Sequence, residues 1–193
     1  VGSFVLASSS PRRRELLGQL GLTFDVEAAD LDESPQPGER AAAYVERLAR
    51  EKATAVRARR PGAVVLAADT SVVVDDELLG KPGTDAALGT AMLRRLSGRT
   101  HQVLTGVAVA GPTLRSLVVS SDVAFRPLSD AQIAWYVSTG EGADKAGGYA
   151  SQARAGAFIR ALTGSATSVI GLPLDEAVRL LEEAGVRMPW SVG

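Results

Sequence analysis

The chain has 193 residues, and 21 basic against 22 acidic side chains leave a formal net charge of −1. That balance speaks against a protein that tracks a nucleic-acid polymer, which needs an excess of cations to neutralise many phosphates. The absence of cysteine and the presence of one histidine, His101, exclude disulfides, thiolate metal sites, a cysteine nucleophile and multi-histidine metal centres.

The length suits one α/β domain or two small lobes with a real core. No apolar run is long enough for a membrane span. The first residues lack the basic-then-apolar pattern of a secretory signal. A cytoplasmic chain with no membrane partner is the expectation. The first strand is expected over Val5–Ala7, followed by a helix from Pro11 to Leu20. Proline suits the first helical turn, where its missing N–H has no partner anyway. Leu16, Leu17 and Leu20 give that helix an apolar face, and Gly21 stops it. An acidic, proline-rich loop, "AADLDESPQPGE", leads into a long helix over Glu39–Arg59. "AVVLAADTSVVV" reads as a buried strand, Asp75-Asp76 as a turn, and Leu78-Leu79 as a short return strand. "GKPGTD" is a loop before a helix from Asp85 to Leu96 that ends at Gly98. Strands over 102–110 and 114–125 flank "GPT", a hairpin signal. Ser129 opens the next helix, with Gln132 placed for a capping box. A glycine-rich loop, "STGEGADKAGGYASQARAG", precedes a strand near 157–162 and a helix near 174–184. Strands alternate with helices and one hairpin breaks the pattern. This predicts an α/β protein with a mixed twisted sheet, flanking helices and two lobes around a central cleft, all within one domain.

Several stretches could carry chemistry. In "LASSSPRRRELL", residues 6–17, a strand ends in small hydroxyl residues and enters a helix. Such a start presents unpaired N–H groups and the positive end of the helix dipole, a site for a small anion. Successive helical residues point about 100° apart, so Arg12, Arg13 and Arg14 cannot all face one ligand. One or two aim at it, and the rest face solvent or Glu15. The stretch lacks the Gly-Lys-Ser/Thr of a Walker loop. On the helix "AAAYVERLAREKATAVRARR", Tyr44, Leu48 and Lys52 share one side. A lysine there ordinarily snorkels to the surface; the alternative is an ammonium that leans inward to meet an anion. "VVLAADT" is an apolar strand ending in Asp69 and Thr70, where α/β sheets gather ligands. A carboxylate there is costly unless paired, hydrogen-bonded or bound to metal. Magnesium takes one or two carboxylates plus substrate phosphates, and Glu33 in the acidic loop is the candidate for the second. Lys81 in "LLGKPG" is held between turn residues. Gln152 in the glycine-rich loop can donate and accept at once, as a nucleobase edge requires. His101, in "SGRTHQVLTG", reads as a structural histidine.

The order and wording of four blocks, "LASSSPRRRELL", "AADTSVVVDDELLGKP", "SGRTHQVLTGVAV" and "DKAGGYASQ…GSATSVIGLPLDEA", resemble the Maf proteins, also called septum-formation-inhibitor-like proteins, from residue 5 to about residue 184. The resemblance implies a fold related to the inosine triphosphate pyrophosphatases. It also implies a nucleoside triphosphate pyrophosphatase that uses magnesium or manganese and forms a homodimer. By matching motif positions, Ser8, Arg12, Arg13, Glu33, Lys52, Asp69, Lys81 and Gln152 fall on the family's site residues. Asp69 matches the proton acceptor, and Arg12, Thr70 and Gln152 match positions tied to substrate choice. The arginine after "SP", the threonine after the aspartate and the "KAGGYxxQ" form are similar to the branch acting on dTTP and UTP. Two departures stand out: Ala153 where the family often has glycine, and Ala166, Thr167 and Ser168 before the final block.

On this reading Arg12, Arg13, Lys52 and Lys81 offset the charge of a triphosphate tail, while Asp69 and Glu33 hold the metal. Two roles stay open for Asp69, base and metal ligand. The competing readings are a pyrophosphatase for 7-methyl-GTP or modified nucleotides, and a nucleotide-sensing regulator of cell division.

Overall fold

The computed structural model describes residues 4–191. Among them, seven strands form one mixed sheet. Its order is β2 (Phe24–Val26), β1 (Phe4–Leu6), β3 (Val64–Val74), β5 (Thr100–Ala110), β6 (Leu114–Phe125), β7 (Ile159–Thr163), with β4 (Glu77–Leu79) paired to β3. By contacts the chain divides into two compact units. The first holds Val1–Asp69, Thr105–Val119 and Gly171–Gly193; the second holds Thr70–Leu104 and Ser120–Ile170. The long strands β3 (Val64–Val74), β5 (Thr100–Ala110) and β6 (Leu114–Phe125) each pass from one unit to the other. No helix among the described residues is long and apolar enough to cross a membrane.

In the first unit, β1 (Phe4–Leu6) lies between two parallel partners, β2 (Phe24–Val26) and the start of β3, with Phe4 opposite both Phe24 and Val64. Helix α1 runs over Pro11–Gly18, with proline at its first turn as expected. Helix α2 runs over Ala41–Arg59. Its inner face packs Ala49, Ala53 and Val56 on Val5, Val65, Ala67 and Ala108 of the strands. Small residues let the helix lie close, and Gly106 of β5 takes this furthest. A Cβ at Gly106 would land on the carbonyl of Val45, well inside contact distance. Helix α6 (Leu174–Glu183) buries Ala177, Leu180 and Leu181.

In the second unit, the end of β3 turns through Asp75 and Asp76 into the antiparallel β4 (Glu77–Leu79). Both turn residues have positive φ, 54° and 60°, the conformation a two-residue hairpin with native twist requires. Asp85 caps α3 (Ala86–Leu96) by accepting from Leu88 N. Ser129 and Gln132 form the expected capping box at the start of α4 (Asp130–Ser138). The core gathers Leu93, Leu96, Ile133, Tyr136, Phe125, Tyr149 and Phe158. The glycine-rich stretch is not wholly irregular: it contains 3-10 turns at Ala146–Gly148 and Arg154–Phe158. The following strand, β7, begins only at Ile159 and pairs antiparallel with β6.

Two elements have no counterpart in the sequence reading. β2 is three residues with Asp25 at its middle, too short for a period to show. Helix α5 (Ala166–Ile170) has five residues, three of them β-branched.

Candidate active site

Lys52 projects from α2 between Val45, Leu48, Ala49, Ala53 and Val56, all fully buried. Burying each valine or leucine contributes roughly 1.5–3 kcal/mol. Together they offset the several kcal/mol per ion that it costs to take charges out of water. Lys52 and Asp69 are each only 8% exposed. Lys52 Nζ lies 2.8 Å from Asp69 Oδ1 and 2.8 Å from Glu33 Oε1. The two carboxylate oxygens are therefore no farther apart than twice that distance. The ammonium does lean inward, and the anions it meets are two carboxylates of the chain itself.

Asp69 differs from expectation in one respect. It is not at the end of its strand, because β3 continues to Val74. The parallel pairing with β1 stops earlier, at Leu6 opposite Leu66. Beyond the turn, Val72–Val74 pair instead with β4. Asp69 thus stands past the carboxyl end of the neighbouring β1, the place where α/β sheets take ligands, on a strand that outlasts its partner.

The segment after β1 sits beside this pair. Arg13 Nε donates to the Gly171 carbonyl at 2.7 Å, and its terminal nitrogen donates to Ser8 Oγ at 3.1 Å. Ser8 Oγ also accepts from Ser10 N at 3.2 Å. Ser10 makes no capping hydrogen bond to α1, so the first-turn N–H groups are not taken by it. Burial pushes the Arg13 guanidinium down from its ordinary value; the charge of Arg12 adds to this, while Asp69 and Glu33 oppose it. An arginine stays protonated through shifts of this kind. Arg13 therefore feels the charges of Asp69, Arg12 and Glu33. Of the three arginines, Arg14 is exposed.

Tyr44 and Arg47 are additions to the site that sequence reasoning did not single out. Tyr44 Oη donates to the Glu33 carbonyl at 2.8 Å. Burial, followed by the negative charges of Asp69 and Glu33, pushes its hydroxyl up to about 12, so it remains a donor at neutral pH. The signal was present: Tyr44 and Lys52 share one side of α2. Gly171 also goes unmarked in the sequence, although it lies in the "GLPL" block.

Thr70, Lys81 and Gln152 belong to the second unit. Lys81 follows β4 in a loop tied on both sides to the glycine-rich stretch. Gly147 N donates to Gly80 O at 3.0 Å, and Gly83 N to Ala143 O at 2.9 Å. Gly147 has φ 69°, and a Cβ there would press on the Val72 side chain, so only glycine fits without strain. Just before Gln152, Tyr136 Oη accepts from Ala150 N at 3.0 Å, and Tyr149 Oη lies 2.7 Å from His101 Nε2. His101 is buried, as a structural histidine should be. Burial pushes it down to about 4, and its Nδ1 has no hydrogen-bond partner among the described residues.

The donors suit a hard divalent cation. Asp69 and Glu33 are two carboxylates gathered at one point, and magnesium or manganese completes such a shell with phosphate oxygens and water. Among the described residues, no group of three or more His, Cys, Asp or Glu side chains could hold a metal by itself. Any cation bound here would take its remaining ligands from water or a bound anion.

Carboxylates gathered by a buried lysine, with Arg13 in their field at a helix start, are chemically suited to a polyanion such as a nucleotide's phosphate chain. The model of the Maf-like proteins matches residues 3–184, and the chain belongs to that family. A dTTP/UTP pyrophosphatase of Myxococcus xanthus is 58% identical over 186 residues, covering 96% of this chain and 94% of that protein. One from Anaeromyxobacter dehalogenans is 56% identical, covering 96% of each. One from Hahella chejuensis is 52% identical, covering 97% of this chain and 94% of its own. A solved dITP/XTP pyrophosphatase from Mycobacterium abscessus aligns with 65% of this chain and 75% of its own, at 21% identity and a TM-score of 0.43.

Proposed function

We propose that this chain hydrolyses the α–β phosphate bond of dTTP and UTP, releasing the nucleoside monophosphate and pyrophosphate. The observation that carries the reading is Lys52 Nζ at 2.8 Å from both Asp69 and Glu33, with Arg13 in their field. The names of relatives that are 52–58% identical over nearly their whole length support it.

Each residue has a role in this account. Arg12 and Arg13 take the phosphate oxygens, with Ser8 and the first-turn N–H groups of α1 as further donors. Gly171 and Ser8 fix the Arg13 fork so that little entropy is lost on binding. Lys81 adds a compact charge. Lys52 orients Asp69 and Glu33. Asp69 takes a proton from water as that water's oxygen attacks the α-phosphorus. The bond from that phosphorus to the bridging oxygen breaks, and pyrophosphate leaves with the electron pair. Asp69 and Glu33 would hold magnesium or manganese, which would supply charge neutralisation on the phosphates and a more acidic water. Thr70 and Gln152 set the choice of base. The uracil or thymine edge offers a donor between two acceptors, which a glutamine amide can match, whereas cytosine would leave polar groups unpaired.

The test is a panel of dTTP, UTP, CTP and 7-methyl-GTP with magnesium, scored for monophosphate and pyrophosphate. The proposal expects dTTP and UTP to exceed the others by at least about tenfold. Preference for 7-methyl-GTP, or orthophosphate as the product, would contradict it. Binding without turnover would favour the regulator reading. The family resemblance extends the proposal to a cytoplasmic homodimer, which sedimentation equilibrium checks for the assembly.

A further inference from the structure

Residues 28–38 form an acidic loop without strand or helix before α2, yet Glu33 within them reaches a buried ammonium. Its side chain is 43% exposed, so burial does not hold it there. The loop is fastened to α2. At its start, Arg59 donates to Ala28 O at 2.9 Å and pairs with Glu27 at 2.7 Å. At its end, Arg47 donates to both oxygens of Glu39, at 2.6 and 2.8 Å, and to Ser34 O at 3.2 Å. Between these, at residue 33 itself, the backbone carbonyl accepts from Tyr44 Oη at 2.8 Å.

Tyr44 and Lys52 are eight residues apart, little more than two helical turns, so both lie on one face of α2. That face grips residue 33 twice: Tyr44 takes the backbone and Lys52 the carboxylate. The Tyr44 ring is itself steadied by Arg47, whose guanidinium carbon is 5.6 Å from the ring centroid. Without the hydroxyl, the Glu33 backbone would move among many conformations, only some of which bring its carboxylate to Lys52. Small misplacements of a working group carry a large rate penalty.

We propose that Tyr44 is the positioning residue for Glu33, setting the backbone of residue 33 so that its carboxylate meets Lys52. Tyr44 acts through Glu33 and needs no contact with the nucleotide. The effect on turnover rests on the hydrolase reading; the effect on the loop does not.

Tyr44→Phe removes the hydroxyl and keeps the ring. Two measurements on the full chain test the proposal. In hydrogen exchange, amides of residues 31–34 should exchange faster in Tyr44→Phe than in the wild type, while those of β3 are unchanged. In steady-state kinetics with dTTP, kcat should fall about tenfold, the scale of one lost hydrogen bond, with KM within about twofold. In a Glu33→Gln background, Tyr44→Phe should have no further effect on kcat, because the group it places is already gone. Unchanged exchange in residues 31–34, or the same loss of kcat in both backgrounds, would overturn the proposal. If the wild type does not hydrolyse dTTP, the hydrolase reading fails and the exchange result alone decides the role of Tyr44.

Discussion

Lys52 Nζ and Asp69 Oδ1 lie 2.8 Å apart in the interior of the first unit, and the same ammonium reaches Glu33 at 2.8 Å. Removing the lysine would leave two carboxylates facing each other, one of them buried. Breaking a buried pair from one side typically costs about 3–5 kcal/mol, because a charge is left uncompensated. The exposure of Glu33 puts this case at the lower end. Lys52→Met should therefore lower stability by about 3 kcal/mol in urea unfolding with EDTA present. An unchanged midpoint would mean that the pair contributes nothing to the fold.

Gly106 lets the α2 backbone touch β5, and α2 carries both Lys52 and Tyr44. Its neighbour on the other side is the Val45 carbonyl, which is part of a helix and cannot swing away as a side chain would. Gly106→Ala forces the helix outward. Overpacking of this kind costs about 1–3 kcal/mol and sometimes more. We expect a loss of at least about 2 kcal/mol on that scale, together with loss of dTTP turnover, read from unfolding curves and initial rates. Wild-type stability in this variant would show that α2 can shift without cost.

His101 predicts a pH dependence of stability. Its pKa is about 4 when folded, below the ordinary value of 6.5, because the ring is buried beside Tyr149 and Phe125. The unfolded chain therefore binds more protons between these values, and stability rises with pH across that window. The contribution of neutral His101 is complete above about pH 6.5 and is lost as pH falls towards 4. His101→Gln keeps a polar partner for Tyr149 and removes the titration. Its stability, measured from pH 4 to 7, should fall less steeply on acidification than that of the wild type. Parallel curves would contradict the assignment.

Much of the fold was legible because its punctuation is strong. Pro11 starts α1, Ser129 with Gln132 starts α4, and the turn at Asp75-Asp76 closes β3 onto β4. β2 and α5 escaped because three and five residues are too few for a period to emerge. Asp69 could be found as a carboxylate in an apolar strand, and Lys52 as a lysine on an apolar stripe. What the sequence could not supply was their pairing. They are 17 positions apart on different elements, and only packing brings them together. The same holds for Arg13 and Gly171, 158 positions apart. Sequence reasoning carried the strand through "AVVLAADTSVVV", as β3 runs, but it set Asp69 at a strand end, because nothing in those residues records that the end beside Asp69 is that of β1, whose pairing stops at Leu66.

Gln152 is exposed, in a turn that follows the Tyr149–Ala150 anchor. If it reads the base, Gln152→Ala should reduce the preference for dTTP and UTP over CTP more than it reduces turnover of dTTP. The readout is the ratio of kcat/KM values across the panel. An equal loss on every nucleotide would assign Gln152 to the phosphates or to the loop's structure instead.

The central claim is that Asp69, held by Lys52, takes the proton of the attacking water. Asp69→Asn keeps the shape and removes the charge and the basicity. The most direct measurement is pyrophosphate release from dTTP by this variant, alongside dTTP binding measured calorimetrically. The account predicts turnover lower by about a hundredfold or more, the scale of a lost general base, with dTTP still bound. Near-normal turnover in Asp69→Asn would contradict it.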